Sequence, residues 1–189
     1  EKDEELALLY GGRDSPGYVH RVLGLHGEPM NAVFNLDDYL LCVDDSLPTN
    51  EIRLKGSQTN IDFPEPIEAG AYYLGCDLGF AHDPSEFIIY KNDPPHLICV
   101  LRVHLENVNY AQQQIVIQEL DNNYHFQKIG IDCGNSGRAV AHQLMALGID
   151  WQHRVHAFEF GATIETGQLA NGTVQKRRTK EWMTELLQR

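Results

Sequence analysis

Two stretches of this chain share one pattern: a short apolar strand runs into a single acid and then into a glycine turn. The first is Ala71-Tyr-Tyr-Leu-Gly-Cys-Asp-Leu-Gly-Phe-Ala-His-Asp-Pro84, with its acid at Asp77. The second is Ile129-Gly-Ile-Asp-Cys-Gly-Asn-Ser-Gly137, with its acid at Asp132. A carboxylate at the end of a buried strand is costly unless a cation or hydrogen-bond donors pair with it. The pattern therefore predicts two strands of one sheet whose ends carry the chemistry, and it makes the remaining chain scaffold for that pair.

The chain around them is that of a globular protein. Its 189 residues are enough to bury a real core, and 42% hydrophobic with 22% charged residues excludes a disordered chain. No apolar run approaches membrane-spanning length, and the acidic first residues, Glu1 to Glu5, are the wrong chemistry for a signal peptide. Cys42, Cys76, Cys99 and Cys133 form no C-x-x-C pair, and three of them sit in apolar strand-like runs. That predicts buried, reduced thiols and a cytosolic compartment. The net charge of −12 argues against nucleic acid only until it is divided along the chain. Residues 1–70 carry 14 acids and 5 bases, residues 71–189 only 13 acids and 10 bases. The acidity belongs mostly to the N-terminal part, and the part bearing Asp77 and Asp132 is near neutral.

Taken in order, short helices are expected over 4–10, 18–25 and 36–43, the last capped by Asn35. Residues 1–45 are thus a helical or irregular N-terminal extension. Residues 46–70, rich in Pro, Gly, Asn, Thr and Glu, read as a linker or a draped loop. From residue 71 the pattern tightens. Strands are expected at about 71–77, 86–91 and 97–105, with a hairpin turn at Asn92 to Pro95. An amphipathic helix follows over 110–124 with Ile115, Ile117, Leu120 and Tyr124 inside. A strand at 128–132, a helix over 137–147 with Val140, Ala141, Leu144 and Met145 on one face, and a fifth strand at 155–160 come next. Residues 161–173 show no clear periodicity and read as mobile, before a last helix from about Val174. The order β-β-β-α-β-α-β-α predicts an α/β, ribonuclease-H-like fold over residues 71–189. Its mixed five-stranded sheet has three antiparallel strands first, the fourth parallel beside the first, and helices at its flanks.

Neighbouring strands lie about 4.8 Å apart. Two carboxylates at the same end of adjacent strands can then bridge two divalent ions about 3.5–4 Å apart, the separation used in phosphodiester cleavage. Oxygen ligands favour Mg²⁺ or Mn²⁺. Asp83, at the far end of the first turn, is a third candidate ligand, although an acid before proline is also a common turn former. His82 reads as a solvated turn residue. Lys176, Arg177, Arg178 and Lys180 offer charge to DNA phosphates, and equally suit the solvated face of a terminal helix. His153 and His156, and Trp151 and Trp182, read as structural.

The set in order resembles the nuclease domain of the large terminase subunits of tailed phages. It comprises Tyr73 to Ser85, Gly130 to Arg138 opening a helix, Phe158-Glu-Phe-Gly161, and Lys176-Arg-Arg-Thr-Lys-Glu-Trp182. The resemblance covers about residues 71–189, while Tyr10 to Tyr18 and Val22 to Gly27 resemble the segment after the packaging ATPase. It implies that Asp77 and Asp132 are the first two metal-binding acids and that Asp83 matches an acid found in some members. It further implies a metal-dependent endodeoxyribonuclease that cuts concatemeric viral DNA in the cytoplasm of a bacterial host. Double-stranded DNA, the portal and the small terminase subunit are the implied partners, with no membrane. Two departures follow. The chain contains no G-x-x-x-x-G-K-[ST] motif, so it carries no packaging ATPase. The family's third acid has no counterpart, since Glu181 and Glu185 do not match its position, which implies a fragment or a truncated gene. Two other classes stay open: an actin/Hsp70-like nucleotide-binding ATPase fragment, for which Asp77-Leu-Gly79 would serve a phosphate loop, and a non-enzymatic docking fragment.

Overall fold

In the computed structural model of the chain, residues 2–15, 18–19, 22–23, 40–43, 50–56, 62–79, 83–134, 137–169 and 172–187 are described. The chain divides into two compact units, Glu1–Leu47 and Pro48–Arg189. In the first, helix α1 (Lys2–Leu9) is followed by a turn in which Arg13 and the Tyr18 hydroxyl both bind Asp3. Most of the helices expected over 18–25 and 36–43 lie outside the described residues.

The second unit is built on a six-stranded sheet. Its strands are β1 (Glu51–Lys55), β2 (Ala71–Asp77), β3 (Ser85–Asp93), β4 (His96–Glu106), β5 (Lys128–Asp132) and β6 (Val155–Phe158), in the order β1-β4-β3-β2-β5-β6. β2, β3 and β4 run antiparallel in succession, and β5 lies parallel beside β2. β6 lies parallel beside β5. Those five strands have the predicted ribonuclease-H-like topology. The sixth does not come from the sequence reading: residues 51–55, placed in the 46–70 linker, form β1 and pair parallel with β4. Its Glu51, Arg53 and Lys55 are charged, and Leu54 is the residue it buries. Glu51-Ile-Arg-Leu-Lys55 does alternate polar with apolar, with Leu54 buried and Ile52 packed against the core. Five residues inside a Pro-, Gly- and Asn-rich stretch are a short signal, however, and the parallel pairing with β4 is what makes them a strand.

Alternation along the strands builds the core. Tyr72, Leu74 and Cys76 of β2, Phe87 and Ile89 of β3, Leu101, Val103 and Leu105 of β4, and Ile129 and Ile131 of β5 are all buried on one face of the sheet. Helix α2 (Tyr110–Tyr124) closes the same core with Val116, Ile117, Leu120 and Tyr124, and helix α3 (Gly137–Met145) with Val140, Ala141 and Leu144. Ile115, expected inside, is 48% exposed, and Val116 takes its place. Asn109 caps α2, its side-chain oxygen accepting from the Gln112 N–H at 3.0 Å. Cys76 and Cys133 are buried as predicted, but Cys99 is exposed.

Downstream, a short helix α4 (Ile149–Arg154) precedes β6. Residues 161–173, read as mobile, instead contain strand β7 (Thr163–Gln168), which pairs antiparallel with β8 (Val174–Arg178). The last helix, α5 (Thr179–Leu187), therefore starts at Thr179 and not at Val174. Thr179 is buried, and both its N–H and its hydroxyl donate to the Ala162 carbonyl, which pins the helix start to the foot of the hairpin.

Candidate active site

The parallel register of β2 on β5 sets Cys76 opposite Ile131, so Asp77 and Asp132 close the two strands side by side. Cys76 and Ile131 point into the core. The next residue on each strand points to the other face, and both carboxylates therefore share the face away from α2 and α3. Their proximity is felt electrostatically. Partial desolvation at the strand end raises the Asp77 carboxyl above its usual range, and the charges of Asp132 and Glu86 raise it further. Asp132 accepts from the Gly134 N–H at 3.0 Å, which orients its carboxylate at the start of the second turn.

Each turn depends on one glycine at a close approach. A Cβ on Gly137 would sit 1.9 Å from the Asp132 carbonyl oxygen, so the first residue of α3 can rest on the strand end only without a side chain. A Cβ on Gly79 would sit 2.2 Å from the Asp83 carbonyl oxygen and 2.4 Å from that of Pro84. Gly79 is also gripped by polar groups. Its N–H donates to the Ser85 hydroxyl at 3.0 Å, that hydroxyl donates back to the Gly79 carbonyl at 3.1 Å, and Gln113 Nε2 donates to the same carbonyl at 2.9 Å.

A third acid stands beside the pair. Glu86 is the antiparallel partner of Asp77, but its oxygens are occupied. Arg102 binds it through two bonds, at 2.9 and 2.8 Å, and His104 Nδ1 lies 2.6 Å from Oε1. The Arg102 guanidinium, then His104, hold the Glu86 carboxyl below its ordinary range. Glu51 of β1 extends the network to Arg102 at 3.7 Å. Beyond Asp132, Arg138 of α3 pairs with Glu159. Sequence reading missed Glu86, Arg102 and His104. Their signal was there as the polar half of the alternation in β3 and β4, but only the register shows that it faces Asp77.

The remaining candidates distribute as follows. Asp83 is exposed at the end of its turn. Among the described residues no three His, Cys, Asp or Glu side chains gather as a metal-holding group, so Asp83 does not complete one with Asp77 and Asp132. His82 lies outside the described residues. Lys176, Arg177 and Arg178 lie on strand β8 and not on the terminal helix, and Lys180 lies in the first turn of α5. Lys176, Arg178 and Lys180 are exposed, while Arg177 is committed to Glu185 of α5, with Nη1 2.6 Å from Oε2. His153 and His156 straddle the junction of α4 and β6, and Trp151 packs under the Arg154 guanidinium at 5.0 Å.

The donor set fits a hard divalent cation. Two carboxylates end adjacent strands on one face, and the Asp77 carboxyl is raised first by partial desolvation and then by the charges of Asp132 and Glu86, a cost that a bound cation would offset. Glu86, the acid paired with Asp77 across the β2–β3 ladder, already has its oxygens engaged by Arg102 and His104.

No protein-family model matches the chain, and no curated protein matches it. Solved structures do. The large terminase nuclease from thermophilic phage G20c with bound magnesium aligns with 84% of this chain and 69% of its own length, at 19% identity and a TM-score of 0.48. A second structure of the G20c nuclease covers 68% of this chain and 84% of its own, at 16% identity and a TM-score of 0.37. A large terminase from a thermophilic bacteriophage, solved at greater length, aligns over 56% of this chain, at 14% identity and a TM-score of 0.39. This chain spans 26% of that protein's length.

Proposed function

We propose that the second unit is a metal-dependent endodeoxyribonuclease domain of a phage DNA-packaging terminase, acting on concatemeric double-stranded viral DNA. The observation that carries the reading is the convergence of Asp77 and Asp132 at one end of two adjacent parallel strands, on the same face of a ribonuclease-H-like sheet. Asp77 and Asp132 are the residues that would hold Mg²⁺ or Mn²⁺, as a pair of ions. Bound there, the ions would supply Lewis-acid activation of water and charge stabilisation at the leaving oxygen of the scissile phosphodiester. The chain's own groups prepare the spot. The Gly134 N–H holds one Asp132 oxygen, and the Arg102–His104 grip keeps Glu86 turned to its own partners.

The exposed cations Lys176, Arg178 and Lys180 supply phosphate contacts that are independent of sequence. Arg177 would join them only by leaving Glu185. In the longer protein of which this would be a part, the portal and the small terminase subunit are the proposed partners, and the cytoplasm of a bacterial host the proposed site of action.

The test is nicking of supercoiled plasmid in Mg²⁺ or Mn²⁺ by the chain and by Asp77→Ala and Asp132→Ala. Both substitutions are expected to abolish nicking to the same degree, because two ligands of one ion pair act as a unit. Nicking that survives Asp77→Ala overturns the assignment. Phosphate release from ATP without any nicking turns the reading toward the nucleotide-binding class.

A further inference from the structure

Gln113 is the one fully buried amide side chain among the described residues, and its placement is not what packing asks for. It sits in the first turns of α2 with no exposed surface, among Val116, Ile117 and Leu120 on the core side of the helix. Both of its amide hydrogens are used: Nε2 donates to the Gly79 carbonyl at 2.9 Å and to the Val108 carbonyl at 2.8 Å. Its Oε1 is buried and has no partner among the described residues. A buried amide with an orphan acceptor works against stability; an apolar side chain of the same length removes that orphan but takes the donor away from the Val108 carbonyl. What the amide supplies and a thioether cannot is a fixed link from the helix to the backbone two residues beyond Asp77.

Ser85 makes the second link. It is 1% exposed and alternates with Glu86, so β3 sends Ser85 to the helix face and Glu86 to the face of the acids. Its hydroxyl closes a ring on Gly79, accepting from the N–H and donating to the carbonyl. Gly79 is thus held through both of its backbone polar groups by two buried side chains from two different elements. The backbone of Asp83 and Pro84 seals its Cα side.

We infer that Gln113 and Ser85 are positioning residues, gripping Gly79 so that β2 leaves the sheet along one path and the Asp77 carboxylate stays aimed at Asp132. The inference rests on the nuclease reading. Groups that hydrogen-bond a metal ligand directly are worth about 10- to 100-fold in metal affinity, and a grip on the backbone two residues from the ligand is expected at the low end of that range.

The test uses the full chain and reads the rise in melting temperature as Mn²⁺ is titrated, from which an apparent affinity follows, alongside plasmid nicking. Gln113→Met is expected to weaken the apparent Mn²⁺ affinity about tenfold, with the metal-free melting temperature within a few degrees of the parent. Ser85→Ala is expected to act in the same direction. Titrations of both variants that superimpose on the parent overturn the inference. So does a metal-free melting temperature that falls in step with affinity in both, which makes the two residues packing elements. Asp77→Asn is the reference. Loss of its Mn²⁺ response beside unchanged Gln113→Met and Ser85→Ala removes this inference alone, whereas an unchanged Asp77→Asn removes the nuclease reading with it.

Discussion

The carboxyl of Asp77 is held above its ordinary range by partial desolvation and by two neighbouring acids. A proton therefore binds it more tightly in the folded than in the unfolded chain, and the folded state is penalised as pH rises through the carboxylate range. Asp77→Asn removes the penalty. The variant is expected to melt at a higher temperature than the parent at pH 7, with the gain shrinking toward zero as pH falls below the unfolded carboxyl value. Calorimetry over that pH range in a metal chelator reads both. An equal or lower melting temperature at pH 7 contradicts the charge crowding at this spot. Asp77 and Asp132 were legible in the chain because each ends an apolar run and precedes a glycine turn. Glu86 was not. A strand with alternating polarity says that a polar side chain faces outward, and only the register on β2 says which residue it meets.

Among the elements, strands β8 and β1 were missed from sequence for different reasons. Val174-Gln-Lys-Arg-Arg178 is made of residues that favour helices, and nothing local marks it as a strand. Its pairing with Thr163–Gln168, together with the tie from Thr179 to Ala162, outweighs that preference. β1 differs, since Glu51-Ile-Arg-Leu-Lys55 alternates locally and was hidden only by its shortness within a turn-rich stretch. The short helix α4 is held by a different device. Arg154 forms an ion pair with Asp121 of α2 at 2.6 Å, donates to the Phe126 carbonyl at 3.0 Å and covers the Trp151 ring. Both partners of the pair are largely buried, with side chains 18% and 11% exposed. Removing one leaves the other uncompensated, so Arg154→Met is expected to cost roughly 3 kcal/mol of stability. Urea unfolding measures it. A loss indistinguishable from zero shows that α4 docks by apolar contact alone.

Across the whole molecule, the sheet order ranks its strands by protection. β4, β3, β2 and β5 are paired on both sides, whereas β1 and β6 are edges. Hydrogen exchange is expected to be slowest at the amides of Leu74, Ile89 and Ile129 and fastest, within the sheet, at those of Arg53 and Ala157, which face away from the neighbouring strand. Protection of β1 equal to that of β2 contradicts its position at an edge. The linear order of apolar runs, turns and acids was enough to determine five strands, their ribonuclease-H-like connectivity and the two carboxylates, because each of those is written in local periodicity and punctuation. Only the tertiary structure decided the pairing of the sixth strand, the hairpin of β7 and β8, the engagement of Glu86 by Arg102 and the grip of Gln113 and Ser85 on Gly79. Each of these is a relation between residues far apart in the chain, whose energy exists only once the pairing register and the packing of α2 on the sheet bring them into contact.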